Sequence, residues 1–127
     1  MKKVGFITTN KVLAQSLAAA VRNHPDLRLE PFLLLNPRQI TLDADLVKID
    51  IAVIDVMEAP PKEAETAGSI CKKLRQTVPN CRLLLLVSQD NEKGCKMTID
   101  AIKSGAADDF VFYDMSLEYL FAKLAAF

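Results

Sequence analysis

Ten segments alternate along this chain. Five are short and apolar, and five are longer and amphipathic. The short runs are residues 3–8 (KVGFIT), 27–35, 50–55 (DIAVID), 82–87 (RLLLLV) and 109–113 (DFVFY), and each reads as a strand. Helical periodicity occupies 11–22, 62–77, 91–104 and 116–126, and 39–47 reads as a weak, short helix or an irregular crossover. Strict alternation of strand and helix predicts an open parallel sheet with helices on both faces, a three-layer doubly wound α/β architecture. We find no internal repeat, low-complexity tract or linker, so residues 1–127 are expected to form one domain.

The local signals agree with this division. Asn10 offers a side-chain cap to the first helix, which places Leu13, Leu17, Ala20 and Val21 on one face, and His24-Pro25 closes it. Pro31 hints that the second strand lies at an edge. The third helix should turn Ala67, Ile70, Leu74 and Val78 inward, the fourth Met97, Ala101 and Ile102, and the fifth Leu117, Leu120, Phe121 and Leu124. Gly105 stands where a helix C-terminus wants a left-handed residue. The leucines of 82–87 predict a strand buried on both faces.

Half of the 127 residues are apolar, enough for a core, but aromatics are few and Trp is absent, so that core must rest on Leu, Ile, Val and Ala. Sixteen basic residues balance sixteen acidic ones, and no global field draws nucleic acid or an anionic membrane. Bases dominate up to Arg38 and acids are in excess from Asp43 onward, a mild asymmetry that suits a solvated surface. No run approaches the ~18 apolar residues of a membrane span, and no signal peptide follows Met1, so a cytoplasmic protein is expected. Cys71, Cys81 and Cys95 are odd in number and widely spaced, which argues against a disulfide framework or a zinc site. Buried free thiols are expected, with Cys95 the most exposed and reactive.

In a sheet of this kind ligands gather at the C-terminal ends of the strands, where strand order reverses. The residues found there are Thr8-Thr9-Asn10, Asp55, Ser88-Gln89-Asp90 and Tyr113-Asp114. Four pieces then form a recognisable set. They are DIAVID ending in Asp55, a loop with Pro60 and Gly68, RLLLLVS ending in Ser88, and AIKSGAADDFV leading into the last strand. In order and spacing, over essentially its full length, the chain resembles the CheY-like receiver domain of bacterial response regulators. The resemblance implies a flavodoxin-like fold of strand order 2-1-3-4-5. It makes Asp55 the phospho-acceptor position, Ser88 the switch hydroxyl and Phe110 the aromatic that rotates on activation.

The departures from that pattern carry as much information. Receivers have an acidic pair at the end of the first strand, where this chain has Thr8 and Thr9. They have a lysine at the end of the fifth, where this chain has Tyr113 or, with the alignment shifted by one, Phe112. Mg²⁺ is a hard, octahedral cation that wants carboxylate anchors, and threonine hydroxyls are neutral. Asp55, helped only by Glu58 three residues on, should hold Mg²⁺ weakly, and the missing lysine removes a second positive charge from a phosphoryl group. The expected role is that of a pseudo-receiver, a domain that signals or localises through protein contacts without catalysis of its own. No cofactor is expected.

Two other readings stand beside it. One is a phospho-accepting response regulator of a two-component phosphorelay, using Asp55. The other is a flavodoxin-like small-molecule or nucleotide-binding domain on the hydroxyl-rich Thr8-Thr9-Asn10 turn, although that turn lacks glycine and no GxGxxG or P-loop is present. The partner of a receiver-like domain would be a kinase, an output domain or a localisation partner. Receivers also associate through the fourth helix, fifth strand and fifth helix, which here carry Lys96, Asp100, Lys103, Asp109, Glu118, Tyr119 and Lys123 in mixed sign, as a homodimer over 96–123 could use. Lys72-Lys73-Leu74-Arg75 reads as a solvated basic face. His24 has no nucleophile to serve, and no GxSxG elbow occurs. Phe127 is read three ways: as a cap on the core, a dimer contact, or the cut end of a longer protein in which such a domain stands first, as in pilus-localising ATPases and atypical regulators.

Overall fold

Leucine at every interior position of 82–87 demands apolar cover on both sides, and the fold supplies it. The computed structural model of the protein describes residues 1–58 and 65–127. Five parallel strands form one sheet: β1 (Lys2–Ile7), β2 (Leu29–Leu34), β3 (Ile51–Asp55), β4 (Arg82–Val87) and β5 (Asp109–Phe112). Their order is β2-β1-β3-β4-β5. The helices between and after them are α1 (Lys11–Arg22), α2 (Ile40–Val47), α3 (Ala67–Thr77), α4 (Glu92–Lys103) and α5 (Leu117–Ala126).

The pleat sends alternate residues to opposite faces. Leu83, Leu85 and Val87 pack with Ala44 of α2, Ile70 and Leu74 of α3 and Ala101 of α4. Leu84 and Leu86 pack on the other side with Leu17 and Val21 of α1 and Leu120, Phe121 and Leu124 of α5. The expected three layers are present. Pro31 lies in β2, an edge strand, as its missing N–H suggests. After β1 the chain steps outward to β2, then returns past β1 to β3. Strand order therefore reverses between β1 and β3, and a crevice opens beyond their C-terminal ends.

Several boundaries differ from expectation, each for a local reason. Glu65 and Thr66, expected in the third helix, lie outside it, and α3 begins at Ala67. Thr66 is extended (φ −66°, ψ 153°) and its hydroxyl accepts from the Ser69 N–H at 3.2 Å, a cap that fixes the start. The expected helical residues 62–64 and the Pro60 loop lie outside the described residues. The second strand starts at Leu29, because Arg28 takes a positive φ of 49° and residues 25–27 form a turn. Leu117 is 48% exposed, not inward, and burial in α5 begins at Leu120. Met97 and Ile102 are only partly buried. Gly105 has φ +81°, the left-handed position foreseen for it.

Cys71 and Cys81 are free, buried thiols pushed up to about 11 and about 12, chiefly by burial. Cys95 is the most exposed of the three, as expected. It is half-buried, and its thiol donates to the Ser88 carbonyl at 3.4 Å. The basic stretch on α3 is not simply a solvated face. Lys73 pairs with Glu65, and Arg75 turns inward to Asp108 at 2.9 Å and to the Cys81 carbonyl at 3.1 Å. Phe127 packs against the α1–α5 core, and the Arg82 guanidinium lies 5.0 Å from its ring centre. No helix among the described residues is long and apolar enough to cross a membrane.

Asp108 fastens the N-terminal end of the sheet. One oxygen accepts from both Arg75 and the Leu83 N–H (2.7 Å), while the other faces Arg82 at 3.6 Å. Removing it leaves a strand amide and a half-buried guanidinium without their acceptor. We expect Asp108→Ala to lower unfolding free energy by about 2 kcal/mol in urea, and Arg75→Ala to cost markedly less in that background than in the parent chain.

Candidate functional site

A carboxylate at the tip of a buried strand has little water to solvate it. Asp55 ends β3, is 7% exposed and sits beside the strand-order reversal. Two neutral hydroxyls do the work of solvent. Thr8, just beyond β1 and itself 5% exposed, donates its Oγ1 proton to Asp55 Oδ2 at 2.6 Å. Tyr113, just beyond β5, donates its phenolic proton to Asp55 Oδ1. Thr8 Oγ1 in turn accepts from the Asn10 N–H at 3.0 Å, so the same hydroxyl gives and receives. Burial pushes the Asp55 carboxyl above the usual aspartate range, and the Thr8 hydrogen bond offsets part of that rise.

The other residues singled out from the sequence go elsewhere. Thr9 Oγ1 lies 3.1 Å from the Met57 sulfur, a weak acceptor. Successive residues point to opposite sides, so of Thr8 and Thr9 only one can face Asp55. Ser88 follows β4, and its Oγ accepts from the Asp90 N–H at 3.2 Å. Phe110 is half-buried, packed edge-on to Phe112 at 5.1 Å between ring centres and against the α2–α4 core. Phe112 pairs within the sheet with Val87, so Tyr113 is the residue at the end of β5 that reaches Asp55. Glu58 is exposed on the loop beyond β3. On the 96–123 face, Lys123 pairs with Asp109 of its own chain at 2.6 Å, which satisfies two of the charges offered there for self-association.

One residue near the site drew notice in the sequence only as a helix start. Asn91 is 5% exposed. Its Oδ1 accepts from the Gly94 N–H at 2.9 Å, and its Nδ2 lies 3.5 Å from the Val56 carbonyl, joining α4 to the segment after Asp55. A Cβ on Gly94 would come within 2.3 Å of Asn91 Nδ2, so glycine is required for this approach. An asparagine with glycine three residues on, at a helix start, was the available signal.

The donor set does not suit Mg²⁺, the cation that the resemblance brings with it. Around Asp55 stand two neutral hydroxyls. Among the described residues no three of His, Cys, Asp and Glu come together as a metal-binding group. A hard cation at Asp55 would meet these two hydroxyls, and Glu65, which lines the same small pocket, is already paired with Lys73. In the Thr8-Thr9-Asn10 turn the Asn10 N–H is taken by Thr8, and Asn10 Oδ1 accepts from the Leu13 N–H at 3.0 Å.

No protein-family model matches the sequence, and no curated protein matches it. Solved structures do match the fold. An adenylate cyclase structure from Rhodopirellula baltica superposes with a TM-score of 0.80 at 13% identity, over 98% of this chain and 85% of that one. The chemotaxis protein CheY4 of Vibrio cholerae gives 0.77 at 17% identity, over 99% and 98%. The beryllofluoride-activated NtrC4 receiver domain, solved as a dimer, gives 0.79 at 17% identity, over 99% and 95%. At this level of identity the likeness is one of fold. That fold is the CheY-like receiver fold, flavodoxin-like, with the strand order 2-1-3-4-5 that the resemblance implied.

Because the folded chain holds the Asp55 proton more tightly than the unfolded chain, this group's contribution to stability falls as pH rises from the ordinary aspartate range upward. Asparagine can still accept from Thr8, and it carries no charge to desolvate. We expect Asp55→Asn to melt higher than the parent at pH 7, with the gain shrinking as the solution is acidified toward the ordinary aspartate range. A gain that stays constant across that series would assign it to packing and not to ionisation.

Proposed function

We propose that this domain is an atypical receiver. It acts in signalling or localisation through contacts with a protein partner, without efficient Mg²⁺-dependent phosphorylation of Asp55. The observation that carries the reading is the neutral surround of Asp55. Both oxygens are engaged by hydroxyls, from Thr8 at the acidic-pair position and Tyr113 at the lysine position. Phosphoryl transfer to a carboxylate needs cationic compensation for the oxygens that gather charge in the transition state. Hydroxyls supply hydrogen bonds and no positive charge. Each oxygen of the buried carboxylate also accepts from a hydroxyl, which draws electron density from the nucleophile.

A kinase, an output domain or a localisation partner remains the natural ligand class for a receiver fold that has lost its charge chemistry. The fold keeps what such contacts need, namely a rigid sheet and helices with mixed-sign exposed faces. Among the described residues, Glu65 lines the same small pocket as Asp55 and is paired with Lys73.

Intact-mass spectrometry after incubation with acetyl phosphate and Mg²⁺ tests the reading, with Asp55→Asn as control. We expect no phosphoryl adduct under conditions that label an ordinary receiver to completion. An adduct of one phosphoryl group, absent in Asp55→Asn, would establish the phospho-accepting alternative and overturn the proposal.

A further inference from the structure

Of the two hydroxyls that hold Asp55, that of Tyr113 borders a groove, and that of Thr8 stands just ahead of the helix that forms the groove's other wall. Between α1 and α5 lies a cleft of about 450 Å³, floored by Leu86 and Val111, with Leu17 on the α1 side and Leu120 on the α5 side. Asn10 and Tyr113 border the same cleft. A smaller void lined by Leu13, Leu17, Leu86, Thr8 and Asp55 adjoins its inner end.

The first turns of both walls have little apolar anchorage. In α1 burial begins at Ala14, and Val12 is 74% exposed. In α5 it begins at Leu120, with Met115 41% and Leu117 48% exposed ahead of it. Segments with few buried contacts open most readily, so polar ties at these turns count for more than they would in the core. Two such ties meet on one carboxylate. The Asn10 N–H donates to Thr8 and Thr8 donates to Asp55 Oδ2, which fixes the start of α1. Tyr113 donates to Asp55 Oδ1 and fixes the segment that leads into α5.

We propose that Asp55 is a clasp on this groove: its two oxygens hold the α1 wall through Thr8 and the α5 wall through Tyr113, so a change in what the carboxylate can accept sets how far the groove opens. The device needs no phosphate and is independent of the reading above, because it rests on the unmodified carboxylate. It gives the crevice residue a mechanical output, with Tyr113 serving both as its hydrogen-bond donor and as part of the groove's rim.

Backbone hydrogen exchange on the full chain tests it, followed at the capped amides of Leu13 and Ala14 in α1 and of Tyr119 and Leu120 in α5. Tyr113→Phe keeps the ring and removes the donor, and should speed exchange about tenfold at the α5 amides alone, as loss of one hydrogen bond to a carboxylate would. Thr8→Val should do the same at the α1 amides alone, and Asp55→Ala should release both. Thr98→Val, which deletes a buried hydroxyl bond inside α4, serves as the reference for a general loss of stability. Wall-specific increases support the clasp. Unchanged exchange at these amides, or a uniform rise matching that of Thr98→Val, would overturn it. The two hydroxyl variants decide the matter even if Asp55→Ala does not fold.

Discussion

Parallel strands cannot be joined by tight turns. Each pairing needs a crossover, and each crossover lays a helix against one face of the sheet. That constraint governs this protein from end to end. It forces both faces of β4 to be apolar, hence the leucines of 82–87. It collects every strand-to-helix loop at one end of the sheet, which is why residues as distant as Thr8, Asp55 and Tyr113 become neighbours. The crevice follows from topology before any of its side chains is considered.

Into that crevice the sequence places a buried carboxylate whose two oxygens are each held by a hydroxyl. An ionised group at the end of a buried strand can be stabilised by a cation, by a metal or by hydrogen bonds alone. This chain takes the third course. The result is a site with defined geometry and little positive charge. Such a site is suited to holding segments in register, and it is poorly suited to stabilising a transferring phosphoryl group.

The legible parts of the structure are those set by periodicity. Alternating apolar runs gave the strands, helical spacing gave the inward faces of α1 and α3, and Gly105 and Asn10 marked helix ends through local stereochemistry. The less legible parts are set by competition or by distance. Glu65 continues a helix-favouring stretch, yet α3 starts at the Thr66 cap. Leu117 has the spacing of a core residue but is 48% exposed. The position of Asp55 at a strand tip was legible, and so was the neutral character of its neighbours. The Tyr113 hydrogen bond was not, because it spans 58 residues and depends on the register of two strands that do not touch each other. Nor could the sequence say which of Thr8 and Thr9 faces inward, since a one-residue change in where the strand ends exchanges them.

The two ends of the sheet are fastened by different physics. At the N-terminal end Asp108 binds Arg75 and Arg82, partly exposed ions whose attraction weakens as dissolved salt accumulates around them. At the other end the Asp55 links are hydroxyl to carboxylate and short-ranged, with Asp55 and Thr8 buried, so dissolved salt weakens them less. Ionic strength therefore bears more heavily on the Asp108 fastening than on the two hydroxyl links of Asp55.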